Sequence, residues 1–175
     1  MQDVYDKARH VRLIIFDVDG VLTDGSLLFS EAGEELKLFN ARDGHGIKMA
    51  QRSGIEIAVL SGRRSPAVEK RMAGLGVRHL YQGLEEKVPA FETLIAELGV
   101  TPDQTAYVGD DVIDLPVMSR VGLAIAVQDA HPLVRQHAHW QTSQPGGRGA
   151  AREVCELVLE AQGRLTPLFE GYLRR

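Results

Sequence analysis

The chain has 175 residues and a net charge of −4, with 44% hydrophobic and 25% charged residues. This balance is typical of a globular protein, excludes a disordered or fibrous chain, and fits one domain over residues 1–175. Because no basic block interrupts the mixed charges, a nucleic-acid partner is not expected. No apolar run is long enough to span a bilayer, the N-terminus lacks the apolar core of a signal peptide, and Cys155 is the only cysteine. These features predict a cytoplasmic protein without disulfide bonds and without a membrane partner.

Strand-like and helix-like segments alternate along the chain. In the first half we expect a helix within residues 1–11, a strand at 13–16, a β-hairpin at about 26–40, a loop at 43–46 that feeds a helix ending at Arg52, a strand at 55–60, a helix opened by Ser65 and Pro66, and a strand at 79–81. In the second half we expect a helix at 85–98, a strand at 105–108, a helix at 111–119, a strand at 123–127, a helix from His131, a strand around Trp140, and a C-terminal helix and tail at about 150–175. Such alternation predicts an α/β fold, a Rossmann-like parallel sheet with helices on both faces and a protruding β-hairpin after the first strand.

The first strand ends on two aspartates and a glycine, Asp17, Asp19 and Gly20. Its four apolar residues indicate a strand buried on both faces of a parallel sheet, and such sheets bind ligands at the carboxyl ends of their strands. Because the two aspartates are two positions apart, a strand that is ending can direct both carboxylates into one cleft. Gly20 allows backbone angles that a side chain would forbid. Aspartates at such a place can also be simple turn formers, and the other strand ends decide between these interpretations.

Polar side chains also follow the other predicted strands of the sheet. Because the carboxyl ends of parallel strands meet at one edge, these side chains are expected in one cleft with the two aspartates of the first strand. Several carboxylates in one cleft repel each other unless a cation is present, and their oxygen atoms suit Mg²⁺. The pattern therefore predicts a magnesium site that binds a phosphate ester. The polar groups in question are Ser61, Lys87, Asp110, Asp111 and Asp114.

For a phosphate ester, these residue types suit transfer through an aspartyl-phosphate intermediate. Asp17 can attack phosphorus as the nucleophile, and Asp19 can protonate the leaving alcohol and then accept a proton from water. Asp17, Asp110 and the backbone carbonyl of Asp19 can hold the metal ion. Ser61 can donate a hydrogen bond to a phosphoryl oxygen, and Lys87 can neutralise charge on the phosphate and on the nucleophile.

This arrangement resembles the haloacid dehalogenase superfamily of phosphatases. The motifs stand here as Asp17-Val-Asp-Gly-Val-Leu-Thr-Asp24, Ser61, Lys87 and Gly109-Asp-Asp-x-x-Asp114. Members with a substrate-covering cap insert it after the first motif or between the second and third. Here the segment between the first and second motifs holds little beyond a hairpin and one helix. The segment between the second and third motifs has room for one helix and one short strand. We therefore expect no cap domain.

Without a cap, the site would lie open to water, although closed sites favour this chemistry. We therefore expect a neighbouring subunit to close it. The hairpin is the candidate for the contact, because the chain has no evident second sheet to cover its apolar residues. A hairpin that packs on its own domain is the alternative. The apolar residues are Leu27, Phe29, Leu36 and Leu38.

Further segments extend the resemblance over nearly the whole chain, to the family of 3-deoxy-D-manno-octulosonate 8-phosphate phosphatases. The matching segments are residues 39–46, 60–63, 82–83 with Lys87, 109–118, 130–132 and 146–149. That family is tetrameric and capless, and it releases phosphate from an eight-carbon sugar acid used for the inner core of bacterial lipopolysaccharide. The resemblance implies substrate contacts, some of them across subunits, at Asp19, Asn40, Ala41, Arg42, Asp43, Gly44, Lys48, Arg63, Arg71 and Lys87.

A substrate with a phosphate at one end and a carboxylate at the other agrees with the surplus of cations in the chain. Arginine in particular binds a carboxylate in bidentate fashion. Two arginines have open alternatives: Arg71 could lie on a solvated helix face, and Arg148 could belong to an ordinary turn rather than to an anion-binding loop. The surplus cations are Arg42, Lys48, Arg63, Arg64 and Arg71.

Three other functions are weighed against this one. The nearest is the same chemistry on a nine-carbon sugar acid phosphate, although Arg63 and Arg64 favour the eight-carbon substrate. A signalling receiver domain also combines an acidic cluster, a hydroxyl and a lysine, but it lacks the acid–base residue that Asp19 supplies. A non-catalytic assembly module is the third, and the complete catalytic set argues against it.

Overall fold

The computed structural model describes residues 1–174. In chain order its strands are β1 Leu13–Phe16, β2 Leu28–Phe29, β3 Glu35–Leu36, β4 Glu56–Leu60, β5 His79–Tyr81, β6 Thr105–Gly109, β7 Leu123–Ala126 and β8 Trp140–Gln141. Six of them form one sheet in the order β5-β4-β1-β6-β7-β8, and every neighbouring pair in it is parallel. β2 and β3 pair antiparallel as a separate hairpin. The predicted α/β fold with a parallel sheet and a hairpin after the first strand is confirmed.

Helices surround this sheet on both faces. They are α1 Gln2–Ala8, α2 Ala41–Arg52, α3 Pro66–Leu75, α4 Val88–Leu98, α5 Leu115–Met118, α6 Pro132–His137, α7 Ala150–Ala161 and α8 Leu165–Leu173, with short 3-10 helices at Pro102–Gln104 and Val112–Asp114. α7 contacts α1 and α2, whereas α5 contacts α4 and α6. The strand order explains this division. After β1 the chain first forms β4 and β5 on one side of β1, and it then crosses over to form β6, β7 and β8 on the other side. Right-handed crossovers then place the two sets of helices on opposite faces.

The centre of the sheet determines where the polar residues meet. All four residues of β1 have no exposed surface, as their continuous apolar run requires for a strand covered on both faces. β1 pairs with β4 on one side and with β6 on the other. The residues that follow these three strands, Asp17, Ser61 and Asp110, therefore lie at the same edge.

α2 begins earlier than the sequence indicated. The loop expected at 43–46 is helical, because the Asn40 side chain caps the helix and accepts two backbone hydrogen bonds from its first turn, at 2.8 and 3.3 Å. The flexible end of Arg71 packs against Gly44, where a Cβ would lie 2.2 Å from Nη2. Capping and close packing thus outweigh the low helix propensity of glycine.

Two other features of the helices also differ from expectation. The segment after residue 162, expected as a tail, contains α8, and the Tyr172 hydroxyl lies 3.0 Å from Nε2 of His45 on α2. Arg175, the end of that segment, lies outside the described residues. Ser65 is the N-cap of α3, as expected, but its buried hydroxyl has no hydrogen-bond partner within residues 1–174. Its backbone N–H instead donates to Oε1 of Gln82 at 3.0 Å.

The hairpin is shorter than expected, with two residues in each strand, and its apolar side chains are exposed. Leu27 is 52%, Phe29 55% and Leu38 73% exposed. The first gap between motifs holds only this hairpin and α2, and the second holds α3 and β5, so the described residues include no cap domain. Across residues 1–174, no helix is both long enough and apolar enough to cross a membrane.

Candidate active site

Two carboxylates that follow adjacent central strands form the base of the cleft. Asp17 follows β1 and is 4% exposed, and Asp110 follows β6. The Asp110 carboxylate lies directly against Gly20, where a Cβ would be 2.1 Å from Oδ2. Gly20 also has a φ of 91°, a backbone conformation that favours glycine. This one glycine therefore turns the chain after the first strand and makes room for the second carboxylate.

Lys87, just before α4, joins the two central strands through its ammonium group. Its side chain is 3% exposed, and Nζ lies 2.6 Å from Oδ1 of Asp17 and 2.8 Å from Oδ1 of Asp114. The same Nζ donates to the Tyr107 hydroxyl at 3.1 Å, and that hydroxyl donates to Oδ1 of Asp114 at 2.7 Å. Two backbone N–H groups just after β6 donate to the other oxygen of Asp114, at 3.0 and 3.3 Å. Asp114 is thus held by four donors and anchors Lys87.

Burial and crowding shift the protonation equilibria of this cluster. Burial, and then the charge of Asp114, raises the pKa of Asp17 to about 7, although Lys87 opposes the shift. Burial, and then the charge of Asp17, raises the pKa of Asp110 to about 8. Burial by itself would lower the pKa of Lys87, but its two carboxylate partners outweigh this effect. The pKa is therefore raised above its usual value, and the ammonium stays charged. One ammonium does not balance three carboxylates, and the cluster therefore favours a bound proton or a metal cation.

The oxygen atoms of the cluster fit a hard divalent cation. Carboxylate oxygens of Asp17, Asp110 and Asp114 lie within 4.8 Å of one another. Since four hydrogen bonds already occupy Asp114, the other two carboxylates are the ones that can serve as ligands. The third ligand expected from the sequence, the backbone carbonyl of Asp19, belongs to the same loop as Asp17. An oxygen-only set that leaves room for water suits Mg²⁺.

Ser61 follows β4, the strand beside β1, and is 2% exposed. Its hydroxyl oxygen accepts a hydrogen bond of 3.4 Å from the backbone N–H of Arg63. The hydroxyl proton is not used in that contact, because the oxygen is the acceptor. Ser61 can therefore donate to an anion that binds at this edge of the sheet.

Four charged side chains of alternating sign attach the hairpin to the loop after β1. We call them the hairpin ion-pair network, which consists of Asp19, Glu35, Lys37 and Arg63. Lys37 forms a short ion pair with Asp19, and its Nζ lies 2.7 Å from Oε1 of Glu35. Arg63 pairs with Oε2 of Glu35, and its Nε lies 3.9 Å from Oδ2 of Asp19. Burial would lower the pKa of Lys37, but its carboxylate partners Asp19 and Glu35 outweigh burial and leave the pKa above its usual value. Lys37 therefore remains a cation beside the cleft.

Three of the expected substrate contacts have roles within the chain's own structure. Asn40 caps α2, and Gly44 makes room for Arg71. Asp43 is 2% exposed and accepts two backbone hydrogen bonds from the N-terminus of α7, at 3.2 and 2.9 Å. Burial raises the pKa of Asp43, while the same two N–H groups oppose the shift. These contacts join α2 to α7, and a substrate role for the three residues stays a prediction.

The cations expected to bind substrate lie in two places. Arg63 belongs to the hairpin ion-pair network, whereas Arg42 and Lys48 lie on α2 and Arg71 lies on α3. Arg71 Nη2 donates to a backbone carbonyl before α2 at 3.2 Å. Within residues 1–174, no hydrogen bond or ion pair connects the cations of α2 and α3, or the exposed Ala41 beside them, to the carboxylate cluster. Contacts from these residues to the cleft of another subunit stay a prediction.

The glycine-rich loop between β8 and α7 packs directly against the loop after β1. A Cβ on Gly146 would lie 1.7 Å from the carbonyl oxygen of Gly20, and one on Gly147 would lie 2.4 Å from the carbonyl carbon of Thr23. Arg148 forms an ion pair of 3.3 Å with the aspartate at the end of the first motif. The glycines therefore let one backbone support the other at van der Waals distance, a role that the sequence did not indicate.

Proteins of known sequence and structure identify the family to which this site belongs. The pattern of the haloacid dehalogenase-like hydrolases matches residues 81–153. The chain is 55% identical over 163 residues to the 3-deoxy-D-manno-octulosonate 8-phosphate phosphatase KdsC of Escherichia coli K12, and the match covers 93% of this chain and 87% of that protein. The chain belongs to this phosphatase family.

Solved structures of the family share the fold described above. The enzyme from Yersinia pestis superposes with a TM-score of 0.93 at 51% identity, over 94% of this chain and 89% of that one. The enzyme from Moraxella catarrhalis, solved in complex with a magnesium ion, a phosphate ion and a KDO molecule, superposes with a TM-score of 0.96 at 37% identity, over 98% of this chain and 99% of that one. Membership of this family excludes the signalling receiver considered above.

Sequence reasoning about the family motifs missed three residues at the site: Glu35, Lys37 and Tyr107. A signal for Lys37 was present, because alternation along a strand directs it away from the face of its two leucine neighbours. Tyr107 also had a signal, since a tyrosine in a buried parallel strand requires a partner for its hydroxyl. The pairing of Glu35 with Arg63 had no signal, because it depends on how the hairpin folds back.

Proposed function

We propose that this protein hydrolyses 3-deoxy-D-manno-octulosonate 8-phosphate to 3-deoxy-D-manno-octulosonate and phosphate, in the biosynthesis of the lipopolysaccharide core. The observation that carries the proposal is the 55% identity, over 93% of the chain, to an enzyme named for that reaction. The protein is a phosphoric monoester hydrolase, and its substrate is a sugar phosphate. Its cofactor is Mg²⁺, which accompanies phosphate and KDO in the Moraxella catarrhalis relative.

In the proposed reaction, Asp17 attacks phosphorus and the ester oxygen leaves with the bonding electron pair. Asp19 gives its proton to that oxygen and later accepts a proton from the water that hydrolyses the aspartyl-phosphate. The 2.6 Å contact of Lys87 with Asp17 supports a role in neutralising negative charge as the phosphate approaches. The buried Ser61 hydroxyl supports a role as donor to a phosphoryl oxygen.

Asp17, Asp110 and the backbone carbonyl of Asp19 would hold the magnesium ion. Bound there, it supplies positive charge that stabilises phosphoryl transfer. The raised pKa of Asp110 supports this assignment, because a carboxylate crowded by like charges gains most from a cation. Asp114 stays outside the ligand set and keeps Lys87 in place.

The cations around the cleft are proposed to bind the substrate carboxylate and hydroxyl groups. Arg63 lies beside the site within the chain itself, since its Nε is 3.9 Å from Oδ2 of Asp19. The residues on α2 and α3 are proposed to act from a neighbouring subunit. This second set comprises Asn40, Ala41, Arg42, Asp43, Gly44, Lys48 and Arg71.

A homotetramer in the cytoplasm is proposed as the working form. The exposed apolar hairpin supports a subunit contact, because Leu27, Phe29 and Leu38 would otherwise keep half or more of their surface in water. Closure of each site by a neighbouring subunit would also replace the missing cap. Light scattering combined with activity measurement tests this, and a fully active monomer would contradict it.

The function is tested by phosphate release from a panel of sugar phosphates with Mg²⁺. We expect the eight-carbon sugar acid phosphate to give the highest kcat/KM, and Asp17→Asn to abolish turnover. Asp103→Asn, an exposed aspartate outside the cleft, is the matched control and should keep wild-type activity. A higher kcat/KM with the nine-carbon sugar acid phosphate would change the substrate assignment. No turnover of any acidic sugar phosphate would refute the function.

A further inference from the structure

Lys37 has an environment unlike that of the residues beside it on the hairpin. Its side chain is 2% exposed, although the residue as a whole is half-buried, whereas Leu36 and Leu38 are exposed. A lysine side chain that is covered in this way is almost always paired. The hairpin thus directs its apolar side chains to solvent and its lysine inward, so this placement needs a reason other than packing of a core.

The reason lies in the two carboxylates that bind Lys37. One is Asp19, which forms an ion pair with it through Oδ1, and the other is Glu35, whose Oε1 lies 2.7 Å from Nζ. Glu35 is itself held by Arg63. Lys37 is therefore fixed between two anions, and its ammonium cannot move without breaking both contacts.

The contact leaves the two oxygens of Asp19 in different situations. Oδ1 is held by Lys37, while the one cation near Oδ2 within residues 1–174 is Arg63, whose Nε lies 3.9 Å away. The Asp19 side chain is 22% exposed, so the carboxylate is only partly covered. Holding one oxygen fixes the direction of the other, and a proton donor must lie within hydrogen-bond reach of the oxygen that it protonates.

We propose that Lys37 is a positioning residue for the reaction: its ammonium holds the Asp19 carboxylate so that Oδ2 can pass a proton to the leaving oxygen. The step balances as Asp17 forms a bond to phosphorus, the P–O ester bond breaks, and the leaving oxygen takes the proton from Asp19. The inference rests on the proposed function for the role of Asp19. It gives the hairpin a task within its own chain's site, in addition to any contact with another subunit.

The leaving group distinguishes this role from a general structural one. An alkoxide leaves poorly without a proton, whereas p-nitrophenolate leaves without one, and kcat/KM reports the steps up to departure of the alcohol. For Lys37→Met we expect kcat/KM to fall by about 100-fold with the sugar-acid phosphate, the cost of a misplaced catalytic group. With p-nitrophenyl phosphate we expect a fall of less than about threefold, because no proton transfer is needed. An equal fall with both esters would overturn the proposal.

A double-mutant cycle tests whether Lys37 acts through Asp19. In an Asp19→Asn background, Lys37→Met should lower kcat/KM for the sugar-acid phosphate no further, because the group that it positions is already absent. The full single-mutant loss in that background would show that Lys37 acts elsewhere. Lys37→Arg, which keeps the cation, should recover most of the lost activity toward the sugar-acid phosphate.

A second variant covers the case in which Lys37→Met does not fold. Glu35→Gln loosens one side of the lysine and keeps the lysine itself, so it should give the same selective loss with a smaller size. Glu34→Gln, an exposed neighbour on the hairpin, is its matched control.

If wild type cleaves a different alkyl phosphate instead of the eight-carbon substrate, the proposed function fails and the Lys37 comparison proceeds with that ester. If wild type cleaves no alkyl ester at all, the positioning role is refuted as well.

Discussion

Replacing Lys87 by methionine removes the one ammonium that contacts the carboxylates at the base of the cleft in the described chain. Lys87 is buried, with Nζ 2.6 Å from Asp17 and 2.8 Å from Asp114, so the substitution breaks two buried ion pairs and leaves their anions unpaired. Breaking a buried pair by removing one partner costs about 3–5 kcal/mol. We expect the free energy of unfolding to fall by that amount at pH 8 in the presence of a chelator.

The pH dependence of this loss has a definite sign. The pKa of Asp17 is raised to about 7 and that of Asp110 to about 8, and removal of the ammonium raises both further. Because each carboxyl group binds its proton more tightly in the folded state than in the unfolded state, the folded variant gains stability as pH falls. At pH 6 the loss relative to wild type should therefore shrink to about 1–2 kcal/mol, the cost of unmade hydrogen bonds alone.

Urea unfolding at pH 8 and pH 6, with and without Mg²⁺, measures the stability of Lys87→Met. Mg²⁺ should restore part of the stability at pH 8, since it supplies the missing positive charge. At saturating Mg²⁺, kcat of Lys87→Met should remain about 10²–10³-fold below that of wild type, as after loss of a donor that stabilises charge in the transition state. Lys70→Met, an exposed lysine on α3, should change stability by less than about 0.5 kcal/mol. A loss at pH 8 no larger than that of this control, or one that grows toward pH 6, would refute the reasoning.

Three further predictions follow from individual contacts. The raised pKa of Asp110 predicts that the apparent Kd for Mg²⁺ weakens by up to about tenfold between pH 8 and pH 7, because metal and proton compete; calorimetry checks this, and Asp110→Asn should leave only the dependence below about pH 7 that comes from Asp17. Gly146→Ala would place a Cβ 1.7 Å from the carbonyl oxygen of Gly20, so melting temperature and kcat should both fall, and unchanged values would exclude tight support by this loop. Gly44→Ala displaces only the flexible end of Arg71 and part of a leucine, so stability should change by less than about 1 kcal/mol. A rise in KM with that variant would support substrate binding by Arg71, and an unchanged KM would count against it.

The position of β1 was predictable from the sequence, whereas the start of α2 was not. The four-residue apolar run of β1 was recognised because burial on both faces leaves a continuous pattern. α2 was placed too late, because its glycines suggested a loop, whereas the Asn40 side chain caps a helix that begins before them. The cap at Ser65 was predicted from residue type, but its hydroxyl is buried without a partner within residues 1–174.

The sequence by itself determined which polar residues meet at one edge of the sheet. Asp17, Asp19 and Gly20 follow a buried strand, and parallel strands bring their carboxyl ends to one edge whatever the details of packing. Only the tertiary structure decided which charges meet, because ion pairs such as those of Lys37 and Lys87 join segments far apart in the chain. It also separated Asp114, which four donors hold as an anchor, from the neighbouring carboxylates that can bind metal. Spacing along a chain cannot make that distinction, since it depends on the hydrogen bonds that each oxygen already accepts.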